Sequence, residues 1–173
     1  MISFYDDQVT FDANSATNTI VTFEPFTPLN EPIFVPVTID DITFTPILPT
    51  DYRDGPNLFV VTPDSAVDFQ IPLQSNVLSE SGNENFEITF STAPTAIGFD
   101  TYTNSSDDPP VVTVYDVEGN LRAQYVLIQL PNTLGFLGIV SDRPIGKVHW
   151  LATQGGESGN DTGIANVRVG DAK

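Results

Sequence analysis

The residues of this chain that could do chemistry are oxygen ligands and hydrogen-bonding side chains rather than nucleophiles. The sequence has no cysteine and one histidine, His149, so thiolate metal sites are excluded and any histidine-dependent mechanism would have to run through this residue. His149 lies in a strand-like run, and no Gly-x-Ser-x-Gly elbow is present. A solvent-facing or hydrogen-bonded strand histidine is therefore favoured over a catalytic base, and we predict no catalytic residue.

The chain is strongly acidic, with 23 Asp and Glu residues against 6 Lys and Arg residues and a formal net charge of −17. Such a surface repels phosphate backbones and anionic membranes, which argues against nucleic-acid and membrane-surface binding. Adjacent carboxylates occur at 6–7, 40–41 and 107–108, and glycosidases use two acids across a cleft. In so acidic a chain such pairs are expected by chance, so they do not by themselves predict an enzyme.

Aromatic residues beside polar loops are the candidates for sugar binding, which needs an exposed ring next to hydrogen-bonding groups. Tyr52 and Tyr102 lie near polar loops and are expected to be exposed, and Arg53 could add a fork of donors beside Tyr52. Trp150 is kept as a candidate ligand residue, although a single Trp is more often part of the core. The predicted ligand-binding residues are therefore Tyr52, Arg53, Tyr102 and Trp150.

The elements that must position these residues are predicted to be strands. Short β-branched and aromatic runs alternate with Gly, Pro, Asn and Asp, which is typical of an all-β, two-sheet antiparallel β-sandwich of the jelly-roll type. One short N-terminal helix is predicted over residues 6–15, capped by Asp6 or Asp7 and packed through Phe4, Val9 and Phe11. The sandwich strands are predicted to run from 19 to 170 within a single domain, 1–173.

Local signals predict several boundaries inside the sandwich. Residues 19–24 alternate as a strand, and a turn or bulge is expected at Asp40-Asp41, where the apolar alternation changes parity. Residues 111–117 and 121–130 read as a hairpin, because Gly119 between them can adopt positive φ. Residues 73–85 are expected to be mostly loop.

The order of several short motifs resembles a family of secreted bacterial proteins that often carry PEP-CTERM sorting signals. The motifs are Phe4-Tyr5-Asp6-Asp7, Val21-Thr22-Phe23-Glu24, residues 86–100, Val114-Tyr115-Asp116 with Gly119-Asn120, residues 136–139, Pro144-Ile145 and Gly163-Ile164-Ala165-Asn166-Val167. The likeness covers nearly the whole chain and lies in the order of the motifs. It implies a galactose-binding-like jelly roll, used for binding rather than chemistry, at an extracellular or cell-surface location. The family's sorting tail does not follow residue 173, so the resemblance leaves the mode of anchoring open.

The same resemblance implies a possible calcium site. Related jelly rolls use the Glu of the "FE" strand and the Asp of a "DNV" ending as ligands; here Glu24 is retained, but Ala165 stands at the second position and cannot coordinate. Asp161, in the oxygen-rich loop 157–163, could substitute, and calcium accepts such flexible geometry. A calcium site with Glu24 and Asp161 and a purely solvated loop are both left open.

The leading hypothesis is a non-catalytic extracellular binding module of a bacterial envelope or matrix protein that binds glycan weakly, with or without a calcium ion that orders a loop. The alternative is a structural or adhesive surface protein without a small ligand, assembling through exposed edge strands. A polysaccharide-active enzyme is the third hypothesis. The expected partner is a glycan or an extracellular matrix component.

Overall fold

The computed structural model describes residues 1–26, 33–47, 58–63, 75–79, 85–103, 109–151 and 162–173. Within these ranges the chain forms two antiparallel sheets and one short helix. The fold class predicted from the sequence, a two-sheet antiparallel β-sandwich with a short N-terminal helix, is confirmed.

The secondary-structure elements in chain order are β1 (Ile2–Tyr5), α1 (Gln8–Asn14), β2 (Ser15–Val21), β3 (Val37–Ile39), β4 (Ile42–Pro46), β5 (Phe59–Val61), β6 (Val77–Ser79), β7 (Asn85–Phe90), β8 (Ala96–Thr103), β9 (Val111–Asp116), β10 (Leu121–Val126), β11 (Thr133–Ser141), β12 (Ile145–Leu151) and β13 (Thr162–Ala172).

The first sheet has seven strands in the order β1-β11-β8-β13-β6-β5, with β2 paired to β13, and the second has six in the order β10-β9-β12-β7-β4-β3. The strands from β6 to β13 place four members side by side in each sheet, as β11-β8-β13-β6 and β10-β9-β12-β7. The chain passes repeatedly between the sheets along this stretch, which is the arrangement of a double-sheet jelly roll. Of the remaining strands, β1, β3, β4 and β5 extend the edges of that framework, and β2 pairs with the last part of β13.

The core lies between the sheets and follows from strand alternation. On β12, Val148 and Trp150 are fully buried while Lys147 and His149 face outward, and on the neighbouring β7 Phe86 and Ile88 are buried in the same way. Because successive side chains of a strand point to opposite faces, one face of each sheet supplies the core and the other remains available for contacts outside it.

Two tight turns lie where the sequence predicts them. Asp40 and Asp41 join β3 to β4 with Ile39 opposite Ile42, and Asp40 has φ 52°. In the β9–β10 hairpin Gly119 has φ 83°, which a glycine adopts without steric cost. Asp116 closes this turn by accepting hydrogen bonds from the backbone amides of Glu118 and Asn120.

The N-terminal helix is confirmed but is shorter than predicted. Asp7 caps it, since its Oδ1 accepts a hydrogen bond from the Thr10 amide at 2.7 Å. Phe11 is the buried residue of the helix, whereas the packing role predicted for Val9 is wrong because that side chain is 81% exposed. Two residues along a helix turn the side chain by more than half a revolution, so Val9 faces solvent when Phe11 faces the sheet.

Two strand ends also differ from the prediction, and two strands were missed. The strand predicted at 19–24 is β2 and ends at Val21, which leaves Glu24 in a turn beyond it. The hairpin strand predicted to reach residue 130 ends at Val126. β6 lies within the stretch expected to be loop, and β1 was not predicted. Both missed strands have three or four residues, too short for alternation to show.

Candidate functional site

An open cavity of about 350 Å³ lies on the outer face of the seven-stranded sheet, beside the beginning of α1. We call it the Asp100 cleft and define it by Asp6 and Gln8 from the helix side and by the strand residues Asp100, Tyr102, Leu134, Gly135, Phe136 and Asn166. Its size is within the range of small-molecule sites, and its lining combines carboxylates and amides with an aromatic and an aliphatic side chain.

The helix is seated on the sheet by one aromatic residue and two glycines. Phe11 packs over Gly138 of β11 and Gly98 of β8, which face each other across the two strands. A Cβ atom at Gly138 would clash with the Phe11 ring, and one at Gly98 would lie 2.9 Å from the Phe136 ring. The absence of side chains at these two positions therefore lets α1 approach closely and brings Gln8 to the cleft.

A β-bulge in β13 brings two polar residues to the same face. The register of β13 against β8 shifts between Ala165 and Arg168, and Asn166 adopts φ 47°. Asn tolerates this left-handed conformation better than most residues. Val167 stays buried in the core while Asn166 and Arg168 both contact the outer face of the sheet. The bulge thus redirects side chains toward the cleft, as bulges near binding sites commonly do.

Asp100 is the centre of the polar network. Its Oδ1 accepts a hydrogen bond from Arg168 Nη1 at 2.8 Å, and its Oδ2 accepts one from Asn166 Nδ2 at 2.6 Å. Arg168 Nη1 also donates to the Asn166 carbonyl at 2.9 Å. The network fixes the Asp100 carboxylate in place, and bonds of this kind to a charged group are stronger than neutral ones.

Arg168 connects this network to the helix and to the aromatic wall. Its Nη2 donates to Gln8 Oε1 at 3.2 Å, and the guanidinium carbon lies 5.4 Å from the centre of the Phe136 ring. The residue is 8% exposed, and its Nε has no hydrogen-bond partner among the described residues. A nearly buried arginine needs a carboxylate partner, so Asp100 and Arg168 depend on each other.

Tyr102 lines the cleft but is not the exposed platform predicted from the sequence. It is 2% exposed, because strand β8 is flanked on both sides and its outward side chains are covered by their neighbours. Burial, and after it the charges of Asp100 and Glu24, raises the pKa of Tyr102, so its hydroxyl stays protonated. Tyr102 can therefore offer a hydrogen-bond donor or acceptor at the cleft wall, but not a ring face.

Trp150, another of the predicted ligand residues, is not part of this cleft. Trp150 is fully buried, stacked 5.9 Å from the Phe86 ring, and its Nε1 donates to Thr162 Oγ1 at 3.0 Å. A ligand role for Trp150 is therefore wrong, since strand alternation turns it into the core. Tyr52 and Arg53 lie outside the described residues.

The predicted calcium ligands are not brought together in the described part of the chain. Asp161 lies outside it, and the exposed Glu24 accepts a hydrogen bond from the Asn76 amide at 3.0 Å. Within the described ranges no group of three or more His, Asp or Glu side chains is arranged to hold a metal ion. Calcium binding stays a prediction of the sequence.

The outer face of the six-stranded sheet carries the single histidine. His149 Nε2 lies 2.8 Å and Lys147 Nζ 2.9 Å from the same oxygen, Oε2 of Glu87 on the adjacent strand. The Tyr115 ring lies next to both, 4.8 Å from the His149 ring and 5.1 Å from Lys147 Nζ. We call these four residues the Glu87 face. His149 is thus a hydrogen-bonded strand residue, as the sequence predicted.

Burial favours a higher pKa for Glu87, but the hydrogen bonds and positive charge supplied by Lys147 and His149 outweigh it and hold the pKa below its usual value. The Glu87 carboxylate is therefore ionised at neutral pH, and both partners contact its Oε2. The arrangement holds β7 and β12 together across the sheet, and it includes no nucleophile placed against the histidine.

The helix of the described ranges has seven residues, and nothing in those ranges forms a helix with the length and apolarity needed to cross a bilayer.

Comparison with known proteins finds similarity only to solved structures. No protein-family model and no curated protein matches the sequence. The structure called TmCBM61, in complex with β-1,4-galactotriose, is 13% identical, with 90% of this chain and 96% of that chain covered and a TM-score of 0.40. The CBM51-2 and INT domains of Clostridium perfringens ZmpB are 11% identical, with 90% of this chain and 32% of that chain covered and a TM-score of 0.42.

The enzymatically active domain of the bacteriophage CBA120 tailspike protein 4 is 16% identical, with 91% of this chain and 21% of that chain covered and a TM-score of 0.37. At these values the likeness does not extend to function. The case for a function therefore depends on the site itself.

Sequence reasoning missed the residues at the centre of the cleft. Asp100 is 66 positions from Asn166 and 68 from Arg168, and only the pairing of β8 with β13 brings them together. A signal was present, because Asp100 interrupts an apolar strand and Arg168 lies between Val167 and Val169. A charged residue inside an apolar strand predicts a buried pair, although the sequence does not identify its partner.

Proposed function

We propose that this protein is a non-catalytic glycan-binding module and that the Asp100 cleft is its binding site. The observation that carries the proposal is the fixed Asp100–Asn166–Arg168 network at the floor of an open cleft whose wall includes Phe136 and Leu134. Sugars present hydroxyl groups around an apolar ring surface, and they are recognised by planar polar groups next to apolar side chains.

The chemistry of the cleft favours binding over catalysis. The Asp100 carboxylate already accepts hydrogen bonds from Arg168 and Asn166, which hold it in place within the network. The histidine of the chain belongs to the opposite sheet, where Glu87 and Lys147 surround it. Weak, reversible recognition of a saccharide needs only the fixed acceptors and the apolar wall.

A glycan array followed by calorimetric titration tests this function. Leu134 is 46% exposed at the cleft rim, so Leu134→Arg should fill the opening without disturbing the core. Loss of one well-packed contact surface is worth about 1.4 kcal/mol, and affinity should fall about tenfold or more. The matched control is Leu121→Arg, at a leucine that is 57% exposed on β10 of the opposite sheet.

If Leu134→Arg left the affinity unchanged, or if Leu121→Arg reduced it equally, the glycan would not bind in the Asp100 cleft. If the wild-type protein bound no glycan at high concentration, the function itself would be wrong. The extracellular location, the calcium ion and the relation to PEP-CTERM proteins remain predictions of the sequence.

A second candidate function, adhesion between protein surfaces, is favoured by one separate observation. β10 forms an edge of the six-stranded sheet, and the segment that follows it exposes Ile128 (87%) and Leu130 (74%). Exposed apolar side chains beside a sheet edge can pair with another chain. Light scattering over a concentration series tests this candidate: a mass that rises with concentration would support it, and a constant monomer mass would contradict it.

A further inference from the structure

The hydrogen-bond capacity of the Asp100 cleft is unevenly divided between donors and acceptors. Both N–H groups of Arg168 Nη1 are used, one on Asp100 and one on the Asn166 carbonyl. Nη2 donates to Gln8, and the Gln8 amide nitrogen donates to Asp12 Oδ2 at 3.2 Å. Among the lining side chains, the donors that remain are the second N–H groups of the Asn166 and Gln8 amides and the hydroxyl of Tyr102, which is 2% exposed.

Acceptors, in contrast, remain available. A carboxylate offers about four acceptor positions, and Asp100 uses two of them inside the network. Asn166 Oδ1 accepts no hydrogen bond from any described residue, and the exposed carboxylate of Asp6 at the rim has no partner within the described ranges. The cleft thus presents unused acceptors from three side chains.

The charges of the cleft also favour a ligand that donates hydrogen bonds and carries positive charge. Asp6 and Asp100 carry two negative charges, and the one cation that contacts Asp100 in the described ranges, Arg168, is already paired with it. The rest of the chain adds to this field, because the formal net charge is −17. An anionic sugar would meet repulsion and few donors, whereas a cation is concentrated near such a surface.

We propose that the ligand of the Asp100 cleft carries a primary ammonium group, and that the preferred glycans are therefore amino sugars without N-acetylation. An ammonium group has three donors and no acceptor, which matches the unused oxygens of Asp6, Asp100 and Asn166. The sugar part of this inference depends on the proposed function, whereas the ammonium part depends on the cleft alone. It predicts that affinity is highest for glucosamine oligomers, lower for N-acetylglucosamine oligomers and lowest for galacturonic acid oligomers.

Titration calorimetry with trimers of these three sugars tests the order, at mildly acidic pH, where amino groups are protonated. The glucosamine trimer should bind about tenfold more tightly than the N-acetylated trimer, and the preference should shrink as salt is added. Asp6→Asn should reduce glucosamine binding by about fivefold, since an exposed ion pair is worth up to about 1 kcal/mol. It should leave the affinity for the N-acetylated trimer nearly unchanged.

The control for overall charge is Glu118→Gln, which removes one exposed carboxylate from the β9–β10 turn of the opposite sheet. If Glu118→Gln weakened glucosamine binding as much as Asp6→Asn, the attraction would be diffuse and the proposed recognition would be wrong. Spermidine serves as an ammonium probe without a sugar ring. Binding of spermidine as tight as that of the glucosamine trimer would overturn the sugar part and leave a general ammonium site.

The outcomes separate this inference from the proposed function. Equal affinity for glucosamine and N-acetylglucosamine trimers, both blocked by Leu134→Arg, would overturn the ammonium preference and support a glycan site. Binding of the galacturonic acid trimer in preference to the other two would also overturn the preference. Absence of binding by every trimer and by spermidine would overturn both the ammonium preference and the proposed glycan-binding function.

Discussion

The outer faces of the two sheets use similar residues in different ways. On the Glu87 face one carboxylate is paired with Lys147 and His149 across regular, adjacent strands, and the side chains lie side by side along the sheet. In the Asp100 cleft one carboxylate is paired with Arg168, but a bulge and the covering helix interrupt the regular surface. Regular pairing leaves the side chains lying along the sheet, whereas the interruption leaves a cavity into which unused acceptors can face.

The difference shows where binding can develop on a sandwich of this kind. A cross-strand ion pair on a regular sheet stabilises the pairing of the strands, and this structural role explains it without a ligand. Asn166 adopts a left-handed backbone conformation, and glycines take the positions beneath Phe11. Both features carry a free-energy cost in the folded state, and such local departures from regular structure concentrate at functional sites. The two faces therefore predict different responses to substitution.

Phe11→Ala should have the largest effect, because it removes the side chain that holds α1 on the cleft side of the sheet. Truncation of a buried Phe costs about 3–5 kcal/mol, and Phe11 is 1% exposed. Urea unfolding measures the free energy of unfolding. Val9→Ala on the same helix, at an 81% exposed side chain, should stay within about 0.5 kcal/mol of the wild type. A small effect of Phe11→Ala would mean that the helix does not depend on this contact.

Arg168→Met should follow, since it leaves the Asp100 carboxylate without its ionic partner. Breaking a largely buried pair costs about 3 kcal/mol, and the side chains of Arg168 and Asp100 are 10% and 24% exposed. Adding Asp100→Leu to this variant should recover most of the loss, because no unpaired charge remains. If the double variant were as unstable as the sum of the two single ones, the two residues would not act as a pair.

Glu87→Gln should have the smallest effect, about 1 kcal/mol at neutral pH, because the group is partly exposed and solvent screens the pairing. The pKa of Glu87 is lowered in the folded state, so its contribution to stability is present above the pKa of the unfolded chain. It is lost as the pH falls through the lower pKa of the folded state. Unfolding measured across acidic pH should therefore show a smaller loss in Glu87→Gln than in the wild type.

Two results would contradict this account of the Glu87 face. One is an identical acid dependence in wild type and Glu87→Gln, which would mean that the carboxylate gains nothing from Lys147 and His149. The other is a loss of glycan binding in Glu87→Gln at neutral pH, which would place recognition on the regular face. Glu118→Gln, at an exposed turn residue, should change neither property.

Local patterns predicted most of the described strands and two of the tight turns, because alternation and turn chemistry depend on neighbouring residues. The turns at Asp40-Asp41 and at Gly119 lie where they were predicted, and each contains a residue with positive φ. Asp7 was predicted to cap α1, and its carboxylate accepts the capping hydrogen bond. The cleft could not be predicted in the same way. It depends on the pairing of β8 with β13, on a bulge that no local signal marks, and on glycines whose role appears only under Phe11.

The sugar candidates chosen from the sequence illustrate the same limit. Proximity to polar loops suggested that Tyr102 is exposed, but β8 lies between β11 and β13, Leu134 of β11 is paired opposite Tyr102, and the side chain is buried. For Trp150, the average burial of a single Trp favoured the core, and the strand alternation seen in the structure places it there. Exposure is a property of the assembled sheet, so it follows from strand order rather than from composition.

The most direct test of the central claim is backbone-amide NMR during titration with the glucosamine trimer and with the best neutral glycan found on the array. The account predicts shifts at Asp100, Asn166 and Gly135 around the cleft, with Glu87 and His149 unchanged. Shifts confined to the Glu87 face, or spread evenly over both sheets, would contradict the assignment of ligand binding to the Asp100 cleft.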